Sequence, residues 1–172
     1  PEMMREAFRT AMSPRRGPVL LNLPRDLLAD TAETSATPPA GREFQGAFTA
    51  PRRELEQAAE LLRKAKRPLI LAGGGVKNSR SHEQVLALAE RLQAPVVMSP
   101  GHGDALPCTH RLYAGQVGPR GNAVASDLAR RADVILALGT RLGFNTTFYS
   151  YDNINPEAQI IQVEADPTAI GR

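Results

Sequence analysis

The stretch Leu69-Ile70-Leu71-Ala72-Gly73-Gly74-Gly75 constrains the fold of this chain more than any other. Four consecutive apolar residues cannot present one wet face and one dry face. A strand made of them is covered on both sides, as in a parallel sheet. The run breaks into three glycines, and a helical pattern begins near Ser81. Strand, glycine turn and helix in that order bring backbone N–H groups to a helix N-terminus, where a phosphate can sit. The spacing is not that of a dinucleotide fingerprint, because Asn78 stands where the third glycine of G-x-G-x-x-G would fall. The next strand ends Val97-Met98-Ser99, without the acid expected about 20 residues on. Gly73, Gly74 and Gly75 are therefore open to two readings, a nucleotide cradle or a tight turn with no ligand.

The same alternation continues on either side. From Pro51, Leu55, Ala58, Ala59, Leu62 and Ala65 form one helical stripe. Val85, Leu88, Ala89 and Leu92 form a second, and a third helix spans about Asn122 to Arg131. Strands Pro95–Met98, Asp133–Leu138 and Gln159–Val163 join Leu69–Ala72 to make four after residue 50. Helices alternating with continuous apolar strands predict an α/β fold, a Rossmann-like parallel sheet with helices on both faces. In such sheets ligands collect beyond the carboxyl ends of the strands. Those ends are Gly73–Gly75, Ser99–Asp104, Gly139–Arg141 and Glu164–Asp166. Residues 99–121, rich in Gly, Pro and His, predict little regular structure, and 143–158 are polar and aromatic.

Before residue 50 the pattern is different. Met4, Ala7, Phe8 and Ala11 share a face of a helix over 2–12, and Gly17-Pro18 opens a short strand Val19–Leu23. Residues 29–50 are dominated by Ala, Thr, Ser, Pro and Gly and read as an interdomain linker. A helix–strand pair with nothing after it completes no fold. Together with a first residue, Pro1, that is not Met, it reads as part of something longer.

Composition narrows the function classes. An apolar fraction of 42% supports a core, which must be aliphatic because Trp is absent. No apolar run approaches the roughly 18 residues of a membrane span. The net charge of +3 is small, and the adjacent arginines 15–16, 52–53 and 130–131 are scattered, so no nucleic-acid face is expected. Cys108, the single cysteine, rules out an internal disulfide and suits a reducing cytoplasm. His102, Asp104, Cys108 and His110 lie close in sequence, but metal and Cys–His sites use tighter, paired spacings. Gly103-Asp104-Ala105 lacks the third residue of a Gly-Asp-Gly diphosphate–magnesium motif. No catalytic and no metal-ligating residue is assigned. Arg141 leaves a central strand at the site edge, where it grips a phosphate or serves as a surface arginine. Asp166, ahead of Pro167, accepts from a ribose hydroxyl or caps the next helix, and capping is the better reading.

These residues also carry a family resemblance. Gly17-Pro18-Val19 and Leu23-Pro24-Arg25-Asp26 resemble the end of the pyrimidine-binding domain of thiamine-diphosphate enzymes. Residues 65–76, Ala-Lys-Arg-Pro-Leu-Ile-Leu-Ala-Gly-Gly-Gly-Val, resemble the opening of their central domain. Residues 132–141 and 160–167 are similar to its later strands. Gly101–Ala105 and His110–Gly115 lean towards the acetolactate synthase and sulfoacetaldehyde acetyltransferase branch. The resemblance implies residues 1–30 as a remnant of the neighbouring domain, 31–50 as linker, and 51–172 as central domain with its last strand missing. It implies a parent enzyme that makes or breaks a carbon–carbon bond beside a carbonyl with thiamine diphosphate and magnesium. The activating glutamate and the diphosphate motif of the family lie outside this chain, so the fragment is expected to be inactive alone and not to bind that cofactor. Some relatives hold FAD or ADP here, and the matching positions are Gly73, Gly74, Gly75, Gly118, Gly121, Arg141 and Asp166. Pro119-Arg120 and Gly143-Phe144-Asn145 depart from the usual FAD-binding pattern. The implied partners are the other domains of the parent and further copies in a homo-oligomer. A freestanding nucleotide-binding module, similar to an electron-transfer flavoprotein domain, is the alternative.

Overall fold

A computed structural model describes residues 2–13, 16–31, 33, 49–147 and 151–171. The chain divides into two compact units, Pro1–Thr49 and Ala50–Arg172. In the first unit, α1 (Glu2–Ala11) forms as its periodicity predicts. Met3, Met4 and Phe8 on it are 50–70% exposed. The strand expected at Val19–Leu23 is absent; residues 16–24 carry no regular structure. A strand exists only by pairing, and the described residues of this unit offer Val19–Leu23 no neighbour. The linker reading of 31–50 falls almost wholly outside the described residues.

The second unit is a five-stranded parallel sheet in the order β3-β2-β1-β4-β5. Its strands are β1 (Pro68–Ala72), β2 (Val96–Met98), β3 (Tyr113–Gln116), β4 (Val134–Leu138) and β5 (Gln159–Val163). The continuous apolar runs occupy the middle: Leu69, Ile70, Leu71 and Ala72 are at most 1% exposed, as is Ile135. Each such Leu or Ile contributes about 1.5–3 kcal/mol by leaving water. On one face Ile70, Val96, Met98 and Leu136 meet Val85 and Ala89 of α4 (His82–Leu92), with Leu62 of α2 (Arg52–Lys64) alongside. On the other, Leu69, Leu71, Val97 and Ile135 meet Ala125 and Ala129 of α5 (Ala123–Arg131). Asn122 starts α5 as an N-cap, its Oδ1 accepting from Ala125 N–H at 2.7 Å.

Two features differ from the sequence reading. A fifth strand, β3, lies within the stretch expected to be irregular. It is a short edge strand with a register shift against β2 and Gly115 at φ +95°, so it carries no apolar run to signal it. A helical turn, α3 (Gly74–Asn78), also starts inside the glycines themselves, one turn ahead of the helix expected near Ser81.

The amino ends of the strands are tied by Asp133. Its two carboxylate oxygens accept from the Lys66 and Arg67 N–H groups at 2.8 and 2.9 Å, joining the starts of β1 and β4. Burial alone would push this carboxyl up; the N–H groups of Arg67 and Lys66 outweigh that and hold it below the usual carboxylate range.

Candidate functional site

The strand order reverses between β1 and β4, and in open α/β sheets ligands enter at that switch point, beyond the carboxyl ends. Here the two strand ends meet closely, backbone against backbone. Gly73 N–H donates to Leu138 O at 2.9 Å, and Gly75 N–H donates to Gly139 O at 3.0 Å. A Cβ on Gly73 would stand 2.4 Å from Gly139 O, and one on Gly75 would stand 2.5 Å from Gly139 Cα. Gly139 itself holds φ +58°. Two of the three glycines are thus required by packing, and the N–H of Gly75 is spent on the neighbouring strand rather than presented to a phosphate.

Gly74 faces another way. A Cβ there would meet the His102 imidazole at 2.7 Å, so the ring from the β2 end lies over this residue. Beside it Lys77 Nζ pairs with Asp104 Oδ2 at 2.5 Å, and the Lys77 hydrogen bond holds the Asp104 carboxyl below its usual range. Of the four residues close in sequence, His102 and Asp104 stay near each other, while Cys108 and His110 go elsewhere. Asp104 goes to Lys77, His110 Nε2 to Glu90 at 3.2 Å, and Cys108 is exposed. Among the described residues no group of three His, Cys, Asp or Glu side chains could hold a metal ion.

The remaining candidates separate in the same manner. At Gly118 (φ +92°) a Cβ would stand 2.2 Å from Asn145 O, and at Gly121 2.1 Å from Gln116 O, so both permit close backbone approach within the fold. Asp166 caps the turn Pro167–Ala169, accepting from Thr168 N–H at 3.0 Å and Thr168 Oγ1–H at 2.6 Å. Arg141 is exposed at the β4 end, and among the described residues it makes no hydrogen bond or ion pair. Gln162, which carries no motif, organises the same edge. Its Nε2 donates to Thr140 O (3.2 Å) and Ala169 O (3.1 Å), and its Oε1 accepts from Gly171 N–H (3.1 Å). The sequence placed Gly139 at a strand end but not against Gly73 and Gly75, which lie far along the chain, and it carried no signal for the role of Gln162. No buried side-chain nitrogen or oxygen among the described residues lacks a partner.

The fold is a parallel α/β sheet with helices on both faces, whose strand ends interlock at the switch point. The family follows from comparison: residues 55–172 match the model of the thiamine pyrophosphate enzyme central domain, and the chain belongs to that family. It is 43% identical over 159 residues to the sulfoacetaldehyde acetyltransferase of Castellaniella defragrans, covering 90% of this chain and 26% of that one. It is 34% identical over 175 residues to the acetolactate synthase large subunit of Corynebacterium glutamicum, covering 100% of this chain and 28% of that one. Among solved structures, the thiamine diphosphate-dependent 4-hydroxybenzoylformate decarboxylase of Rhodococcus jostii RHA1 superposes with a TM-score of 0.77 at 26% identity. That match covers 100% of this chain and 33% of the decarboxylase. The chain thus spans about a quarter of the length of the curated relatives it matches. The alternative of a freestanding electron-transfer-flavoprotein-like module finds no support in these matches. No helix among the described residues is long and apolar enough to cross a membrane.

Proposed function

We propose that this chain is the structural centre of a larger enzyme that uses thiamine diphosphate and magnesium to make or break a carbon–carbon bond beside a carbonyl, as a transferase or lyase. In this reading residues 51–172 hold neighbouring domains in register and carry none of the reacting groups, and 1–30 belong to the preceding domain. The observation that carries it is the interlocked switch point: Gly73 and Gly75 pack on Gly139, so the place where the strand order reverses is built of glycine backbone rather than reacting side chains. The satisfied buried polar groups and the lack, among the described residues, of any group of three His, Cys, Asp or Glu side chains that could hold a metal ion support the same conclusion. Exposed Ile160 (47%) and Val163 (53%) on β5 support an edge from which one further strand is missing. The partners are the other domains of the parent and a second copy of it, and light scattering on the chain is expected to show a dimer or larger.

FAD or ADP is the nucleotide this edge would hold, without redox work. Of the seven positions, Arg141 fits best, as an exposed guanidinium free to take a diphosphate oxygen pair. Gly74 fits only when the His102 ring moves aside. Gly73, Gly75, Gly118 and Gly121 shape the backbone beneath, and Asp166 is engaged as a cap. Titrating ADP against wild type and Arg141→Ala tests the assignment. The expected result is affinity about tenfold weaker in the variant, for a loss near 1.4 kcal/mol. Equal affinities would remove Arg141 from the site, and no binding by wild type would remove the nucleotide while leaving the scaffold reading intact.

A further inference from the structure

The amino edge of the sheet, opposite the ligand edge, carries a feature the scaffold role leaves unused. We propose that it is a docking surface for an acidic protein segment bearing an apolar side chain. Because β1, β2 and β4 are parallel, their first residues share one edge. Helices α2, α4 and α5 each lead directly into β1, β2 and β4, so they end there too. Their last turns carry Arg63 and Lys64, Arg91, and Arg130 and Arg131. A depression of about 670 Å³, counting its open mouth, lies between the ends of β1, β2 and β4. Its accessible apolar lining is Pro68, Pro95 and Leu128, over the buried Leu69 and Ala132; its charged lining is Lys66, Arg67 and Arg131.

Most local acids are already committed. Both oxygens of Asp133 accept backbone N–H groups, Glu60 pairs with Lys64, Asp127 with Arg131, and Glu90 with His110. Arg67 Nε donates to Arg131 O at 2.6 Å, which holds that guanidinium at the depression. The Lys66 ammonium is exposed and makes no hydrogen bond or ion pair among the described residues. Lys66, Arg91 and Arg130 make no ion pair among the described residues, so this edge keeps positive charge beside the hollow.

The helix C-termini decide what kind of anion fits. They present carbonyl oxygens with partial negative charge, so a compact phosphate seated against the backbone is repelled. Carboxylates reached by long Lys and Arg side chains stand clear of those carbonyls, while an apolar side chain enters the hollow. Acidic residues flanking a Leu or Phe match this arrangement, and electrostatic complementarity fixes their register. The edge is remote from Arg141, so docking there does not compete with a nucleotide.

The test is fluorescence anisotropy on the whole 172-residue chain at low ionic strength, where charge screening is weakest. The probe is a labelled peptide Glu-Glu-Leu-Phe-Glu-Glu, with Gln-Gln-Leu-Phe-Gln-Gln as its neutral counterpart. The expected result is saturable binding of the acidic peptide only, weakened roughly tenfold by Lys66→Glu and more than by Lys66→Ala. Arg53→Glu makes the same charge change at the far end of α2 and should leave the affinity within about twofold of wild type. Absence of saturable binding, equal binding of the Gln peptide, or equal loss in Arg53→Glu would overturn the proposal. Equal binding of a single-stranded oligonucleotide would also overturn it, marking an unselective polyanion face.

Discussion

Gly139→Val is expected to destabilise the domain by about 3 kcal/mol or more, or to prevent folding altogether. Two costs add. A Cβ at residue 139 would stand 2.4 Å from Gly75 Cα and 2.8 Å from Gly75 N, so the ends of β1 and β4 would have to part. The backbone there also holds φ +58°, which a β-branched residue resists by about 1–2 kcal/mol. Parting the strands would strain two hydrogen bonds, Gly75 N–H to Gly139 O and Gly73 N–H to Leu138 O. Gly143→Ala is the matched control, since a Cβ at 143 meets nothing within 4 Å. Urea unfolding should leave the Gly143→Ala midpoint near wild type and lower that of Gly139→Val sharply. Equal midpoints would mean that the switch point is not interlocked.

Asp133→Asn is expected to cost about 1–2 kcal/mol near neutral pH, because one charged acceptor pairing is lost where β1 and β4 begin. The folded carboxyl lies below its ordinary value of 3.8. Its stabilisation is therefore complete above the ordinary carboxylate value and is lost as pH falls through the lower folded value. The gap between wild type and Asp133→Asn in urea midpoint should be full at neutral pH and shrink as pH drops towards about 3. A gap that widens on acidification would reverse the sign and contradict the role given to Asp133.

Legibility in the sequence followed the range of the interaction. Leu69–Ala72 and Asp133–Leu138 announced β1 and β4 because a strand buried on both faces must be apolar throughout. The stripes at Leu62 and at Val85–Ala89 announced helices that pack on one side. The helix expected over about Asn122 to Arg131 forms as α5, and the structure adds that Asn122 caps it. The strand β3 escaped notice because a four-residue edge strand with a glycine and a shifted register has no apolar signature. Val19–Leu23 misled for the converse reason, an apolar run with no strand to pair with. At the site, the three glycines read equally as cradle or turn. What separates those readings is contact with Gly139, over sixty residues away, and no pattern within a window of local sequence contains it. Asp133 and Gln162 were missed likewise, since their roles lie in partners across the sheet.

Calorimetric titration of the chain with thiamine diphosphate and magnesium tests the central claim most directly. With a switch point of glycine backbone and no metal-holding group among the described residues, the chain is expected to offer that cofactor no site. The expected result is dilution heats only, with no saturable binding at ligand on the order of 1 mM, where about −4.1 kcal/mol would already be visible. A saturable micromolar site for thiamine diphosphate with magnesium would contradict it.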